Sequence, residues 1–155
     1  MKIFGFIIIL CLSLTGCTHL DLFEKITIIP EQKWFYNNKP EFSFDIGDTV
    51  ATYNIFIVLR HTDSYEYNNI WLRLGSKAPG ESVNFQNLDL TLGTDAKGWL
   101  GEGMDDIFDV RKNITSGPVS FKKKGTYTFS IAQIMRENPL KHILNVGIRV
   151  EKVRL

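Results

Sequence analysis

Glu41-Phe42-Ser43-Phe44-Asp45-Ile46 alternates polar and apolar at every step, so Phe42, Phe44 and Ile46 share one face. A period of two is that of an extended strand with one side buried. Gly47-Asp48 supplies a turn. Tyr53-Asn54-Ile55-Phe56-Ile57-Val58-Leu59-Arg60-His61 follows and is apolar on both faces, as in a central strand covered from both sides. Asn69-Ile70-Trp71-Leu72-Arg73-Leu74 alternates again. Between them, His61 to Asn68 reads as a polar connecting loop.

The same reading extends along the chain. Gly75-Ser76-Lys77-Ala78-Pro79-Gly80 is a second turn cluster. Val83 and Phe85 share one parity while Leu88, Leu90 and Leu92 share the other. The slip at Gln86-Asn87 predicts a bulge or tight turn, because one extra residue exchanges the faces. Asp105 to Arg111 reads as a short helical turn or a strand edge, and Gly117-Pro118 breaks the chain. Lys122-Lys123-Lys124-Gly125 predicts a solvated hairpin turn whose charges keep an edge from pairing with another chain. Tyr127, Phe129 and Ile131 then share a strand face. Ala132 to Leu140 predicts one short helix, stopped near Asn138-Pro139. Asn145 to Leu155 closes with a strand carried by Val146, Ile148 and Val150. The expected fold is all-β, a single antiparallel β-sandwich with at most one short helix. A jelly-roll-like topology is preferred over an immunoglobulin-like one, on the ground of the long connection at residues 93–118.

The N-terminus carries a different signal. Lys2 is followed by the apolar run Ile3-Phe4-Gly5-Phe6-Ile7-Ile8-Ile9-Leu10, too short to stay across a bilayer, and the stretch ends in Leu14-Thr15-Gly16-Cys17. That ending has the form of a bacterial lipobox. Small residues at 15 and 16 fit a signal peptidase, and the Cys17 thiol takes the diacylglyceryl group. The expected organisation is a removed lipoprotein signal peptide at 1–16, a lipidated tether at 17–30 and a β-sandwich at 31–155. Thr18 is not the acidic residue that retains lipoproteins at the inner membrane. The expected location is therefore the outer membrane of a Gram-negative cell, facing the periplasm.

Composition narrows the function. The chain has 18 basic and 17 acidic residues, and losing Lys2 with the signal leaves them balanced. A nucleic-acid partner needs a basic excess or stripe, so none is expected. With Cys11 removed and Cys17 lipidated, no thiol remains for a disulfide, zinc or nucleophile. No metal or cofactor is expected beyond the covalent lipid on Cys17. His19, His61 and His142 lack ligand spacing.

Two clusters stand out. His61, Asp63, Tyr65 and Tyr67 gather at one strand end, as a recognition loop or as a hydrogen-bonded connection in which the tyrosines cap the core. Gly98-Trp99-Leu100-Gly101-Glu102-Gly103-Met104-Asp105-Asp106 sets a tryptophan among three glycines. Its readings are a partner-binding loop using Trp99, Glu102, Asp105 and Asp106, or a tryptophan lid over the sandwich end with Asp109 pairing Arg111. Calcium held by Asp105, Asp106 and Asp109 is a further reading, although their spacing is not that of a known calcium loop. Asn113-Ile114-Thr115 matches the N-glycosylation pattern, which carries no weight in a bacterial lipoprotein.

Several segments together resemble one family: Trp34 with Pro40-Glu41-Phe42-Ser43-Phe44; Tyr53 to Thr62, ending Leu59-Arg60-His61-Thr62; Tyr65 to Leu72; Gly98-Trp99-Leu100-Gly101-Glu102-Gly103 running on to Ile107; Gly125 to Arg136; and Leu144 to Glu151. This is similar to the gliding-motility-associated lipoprotein H family, GldH, over nearly the whole chain. The resemblance implies a cell-envelope lipoprotein of gliding bacteria and their relatives, linked to motility and to the secretion system that delivers surface adhesins. It implies no enzymatic activity and offers no catalytic residues. The expected role is a non-enzymatic accessory lipoprotein that docks other envelope proteins. The rival is a carbohydrate-binding module with Trp99, Tyr65 and Tyr67 as stacking platforms for a glycan.

Overall fold

A computed structural model describes residues 22–153; the expected signal peptide, Cys17 and His19 lie outside the described residues. The strands are β1 (Leu22–Ile28), β2 (Lys33–Trp34), β3 (Glu41–Ile46), β4 (Tyr53–Thr62), β5 (Asn69–Lys77), β6 (Asn84–Thr91), β7 (Gly93–Thr94), β8 (Gly98–Trp99), β9 (Glu102–Met104), β10 (Ile107–Asn113), β11 (Gly125–Gln133), β12 (Leu140–Lys141) and β13 (Ile143–Lys152). Among the described residues the only helical turn is a 3-10 turn at Pro30–Gln32.

The strands form a five-stranded sheet, β1-β13-β4-β10-β9, and a four-stranded sheet, β3-β11-β5-β6, all antiparallel. Among the eight long strands the first pairs with the last (β1 with β13), the second with the seventh (β3 with β11), the third with the sixth (β4 with β10) and the fourth with the fifth (β5 with β6). A long hairpin rolled onto itself pairs in this way, which is the jelly roll. Phe42, Phe44 and Ile46 of β3 face Tyr53, Ile55, Ile57 and Leu59 of β4 in one core, with Ile131, Leu72 and Ile148 wholly buried. Phe44 is its aromatic hub, with ring centroids 5.1 Å from Phe23, 5.6 Å from Phe121 and 5.6 Å from Phe129.

Several sequence expectations are revised. Residues 22–28, expected in the tether, are strand β1, paired along its whole length with β13; Phe23 and Ile29 supply the apolar contacts that hold this end of the chain. Residues 132–140 form no helix. β11 runs on to Gln133, and this buried side chain donates to the carbonyls of Trp34 (3.2 Å) and Glu137 (3.1 Å) and accepts from the Met135 N–H (2.8 Å). One amide thereby satisfies the turn that a helix would otherwise have closed. The Lys122–Lys124 segment crosses between sheets and joins no hairpin, since β10 and β11 lie in different sheets. β6 pairs with β5 without a register shift, so no bulge occurs at Gln86-Asn87. Residues 107–113 take the strand alternative, as β10.

β4 lies between β13 and β10, as its doubly apolar pattern predicts. Its outer face is covered by charged side chains. Arg60 forms a two-point bond with Asp109 (2.7 Å each), and Glu24 bridges Arg149 (2.6 Å) and Arg111 (3.5 Å). A fragment of residues 31–155 lacks β1 and Ile29 and is expected to be at least about 3 kcal/mol less stable than one of residues 22–155. Equal melting temperatures for the two fragments would show β1 to be dispensable.

Candidate functional site at one end of the sandwich

The register of β4 decides what happens to His61. Tyr53, Ile55, Ile57 and Leu59 point inward, and His61 is next on that parity, so it is buried with no exposed surface. Rings enclose it. Trp99 lies 4.6 Å away edge-on, Phe108 5.7 Å away in a stacked arrangement, and Tyr65 at 5.6 Å. Tyr67 adds an edge contact to Tyr65 at 5.7 Å. The Nδ1 of His61 is 2.8 Å from the Thr62 carbonyl. A carbonyl only accepts, so Nδ1 carries the proton and Nε2 is the bare nitrogen. Among the described residues neither Nε2 nor the Thr62 hydroxyl has a hydrogen-bond partner. Desolvation pushes the His61 pKa below its ordinary value, opposed in part by the Thr62 carbonyl. Burial likewise raises the Tyr65 phenol, whose hydroxyl donates to the Asn69 carbonyl at 3.0 Å.

The glycine-rich segment has local backbone reasons for its composition. Gly98 turns the β7–β8 hairpin at φ +67°, and Gly101 adopts φ +95° with the Asp109 carbonyl packed where a side chain would stand. Gly103 leaves room for the Phe108 ring, and the Trp99 ring lies over Gly93. The three glycines therefore need no binding role to explain them. Trp99 is half-buried against the core, as a lid would be.

The expected site residues are brought to one end of the sandwich but separate into two layers. His61 and Tyr65 are buried, and Trp99 and Tyr67 are half-buried. Asp63, Glu102, Asp105 and Asp106 are exposed around them, with Met104 75% exposed at the β9–β10 turn. The Asp63 N–H donates to the Asp106 carbonyl at 2.7 Å and joins the two loops. Asp109 pairs with Arg60, its directly opposed cross-strand neighbour, and not with Arg111, which lies beside Glu24. The Arg60 guanidinium holds the Asp109 carboxyl below the usual carboxylate range. So engaged, Asp109 does not converge with Asp105 and Asp106, and among the described residues no group of three or more His, Cys, Asp or Glu could hold a metal.

A second aromatic surface escaped the sequence reading. Phe85, Trp71 and Tyr36 are 61%, 42% and 40% exposed, and they border hollows on the outside of the four-stranded sheet. The parity change between Phe85 and Leu88 was the available signal. It marks an aromatic ring on the solvent face of a straight strand, because Phe85 lies opposite Gly75 while Leu88 and Leu90 lie opposite the buried Leu72 and Ile70.

These features define a jelly-roll domain with a closed aromatic end and an acidic rim. Residues 21–150 match the family described as GldH lipoprotein. The chain is 31% identical to the gliding motility lipoprotein GldH homolog of Christiangramia forsetii, over 97% of this chain and 93% of that protein. It is 23% identical to the gliding motility lipoprotein GldH of Flavobacterium johnsoniae, over 96% of this chain and 95% of that one. The chain belongs to the GldH lipoprotein family.

His61 sets a pH dependence. Its folded pKa lies below the unfolded value of about 6.5, so its contribution is intact above that pH and is lost as pH falls toward the depressed value. The melting temperature should drop more between about pH 7 and pH 5 in the native chain than in His61→Phe; parallel profiles would exclude a neutral buried ring. Trp99→Ala should cost about 2 kcal/mol, less than a fully buried tryptophan. A melting temperature unchanged from the native chain would place Trp99 outside the packed cluster.

Proposed function

We propose that the protein is a non-enzymatic accessory lipoprotein of the gliding-motility and secretion machinery. In this reading it is anchored by acyl chains such as palmitate on Cys17, in the outer membrane facing the periplasm, and it docks another envelope protein. The family match across residues 21–150 carries this reading, because it spans nearly the whole sandwich. Both relatives bear names that place them in gliding motility.

The fold supports a docking geometry. β1 enters at Leu22, opposite Glu151, and runs to Ile28, opposite Asn145; His61 pairs with Ile143 just beyond. A chain tethered at Cys17 therefore holds the Leu22 end nearest the membrane and the His61 end about 20 Å farther out. Asp63, Glu66, Glu102, Asp105 and Asp106 are exposed on that outer end, and none is in an ion pair among the described residues. The rings beneath them form a rigid support. The docking partner would present a basic surface.

A photo-crosslinking residue in place of Asp105, in cells making the full chain, should trap a motility or secretion protein of the envelope. The same residue in place of Lys123, at the opposite end, should not. Cys17→Ala should release the chain from the membrane fraction and abolish the adduct. Equal trapping from both ends, or none from Asp105 in membrane-anchored protein, would refute the docking geometry.

A further inference from the structure

We propose that the outer face of the four-stranded sheet binds an acidic saccharide, a pyranose chain bearing carboxylates. The main groove lies on a different face from the acidic rim, which it approaches only at Tyr67, and the proposal does not depend on the docking reading. A groove of about 320 Å³ lies across it, lined among others by Tyr36, Lys39, Arg73, Phe85, Ser130 and Met135. A second hollow of about 330 Å³, bordered by Tyr67, Trp71 and Arg136, continues it past Ile134 and Met135, which line both.

The rings are held against the sheet and left open to solvent. Phe85 stands opposite Gly75 across the β5–β6 pair, and its ring crosses the glycine so closely that a Cβ there would lie 3.0 Å from it. A glycine opposite an aromatic lets the ring lie flat on the sheet. Phe85 nevertheless stays 61% exposed, so it is a platform more than a core residue. Tyr36 is pinned at two points. Its hydroxyl donates to the Met135 carbonyl at 2.7 Å and its backbone N–H to Asn138 Oδ1 at 3.0 Å. The phenol is thus spent on the protein and the ring remains 40% exposed. Gln133 fixes the same segment from inside. Exposed, pre-positioned rings suit the C–H faces of sugar rings, which gain by contact with an aromatic face and lose little entropy against a rigid one.

The charges choose the class of saccharide. Lys39 and Arg73 line the groove and no carboxylate does. Neither cation is in an ion pair among the described residues. Arg73 donates its Nε to Asn87 Oδ1 at 3.1 Å, which orients the guanidinium while leaving its terminal nitrogens available. A planar, oriented guanidinium matches a carboxylate in two-point contact. Ser130 and Asn87 offer neutral hydrogen-bonding groups for hydroxyls beside it. A surface built for an apolar protein segment would gather its rings at the centre and its charges at a rim. Here the cations share the groove with the rings.

Full-length protein in detergent is titrated calorimetrically with trigalacturonate, triguluronate, neutral galactotriose and an oligoglutamate peptide. The expected result is binding of at least one uronate trisaccharide, at least tenfold tighter than galactotriose. Phe85→Ala and Arg73→Gln, both exposed substitutions, should each weaken it at least tenfold with melting temperatures near native, while Lys123→Gln leaves it unchanged. Absence of uronate binding up to about 10 mM, equal affinity for galactotriose, or unchanged affinity in both variants would overturn the proposal. Oligoglutamate binding as tightly, with the same dependence on Phe85 and Arg73, would also overturn it in favour of a protein ligand.

Discussion

Inward parity along β4 is the constraint on which the rest of this structure depends. Tyr53, Ile55, Ile57 and Leu59 must all face the opposite sheet, and a strand has only two faces. The next residue of that parity is His61, an imidazole carried into the core by its hydrophobic predecessors. Everything at that end of the sandwich accommodates it. Trp99, Phe108 and Tyr65 close around the ring, and the segment carrying Trp99 needs its glycines to approach so closely. The Thr62 carbonyl satisfies one nitrogen and leaves the other bare. A one-residue slip in β4 would expose four large apolar side chains together with the histidine, so the register is held by far more than the cluster itself.

The two sheets treat their outer faces differently, and this divides the molecule into functional regions. On the five-stranded sheet, ion pairs cross β1, β13, β4 and β10. Partly exposed pairs of this kind contribute little each. Their value here is in occupying the face and matching neighbouring strands. On the four-stranded sheet the outer face bears exposed rings and, besides the carboxylates of Glu41 and Asp89, the cations Lys39 and Arg73, which are in no ion pair among the described residues. A jelly roll supplies both faces from one chain because adjacent strands in sequence often lie in different layers. β3 and β4 are sequence neighbours that lie in opposite sheets, and so are β10 and β11.

Much of this was legible in the sequence where a short window contained the whole signal. Strand β3 was predicted residue for residue and β4 nearly so; the all-β sandwich followed from the many short strands, and the jelly-roll preference from the long connection at residues 93–118. Failures came where a distant partner overruled local pattern. Residues 22–28 looked like tether because a strand at a sheet edge needs only one good partner, here β13, more than a hundred residues away. Residues 132–140 looked helical because nothing local reveals that Gln133 would bond to Trp34 from another layer. At the candidate site, sequence proximity grouped His61, Asp63, Tyr65 and Tyr67, and separately the Trp99 segment; that the two meet at one end of the sandwich, and which members are buried, came from the tertiary structure.

The sequence by itself determined the strand periodicity, the balanced charge and the family, because these are written in residues close together or in the order of the whole chain. Only the tertiary structure decided how Trp99 and Phe85 are disposed. Trp99 reads either as a binding loop or as a lid and is half-buried; Phe85 reads as shifted by a bulge or tight turn and lies open over Gly75. The reason is physical. Burial belongs to a pair of surfaces, and the second surface in each case comes from a strand or loop whose position follows from the rolling of the sheets and from no residue in the neighbourhood.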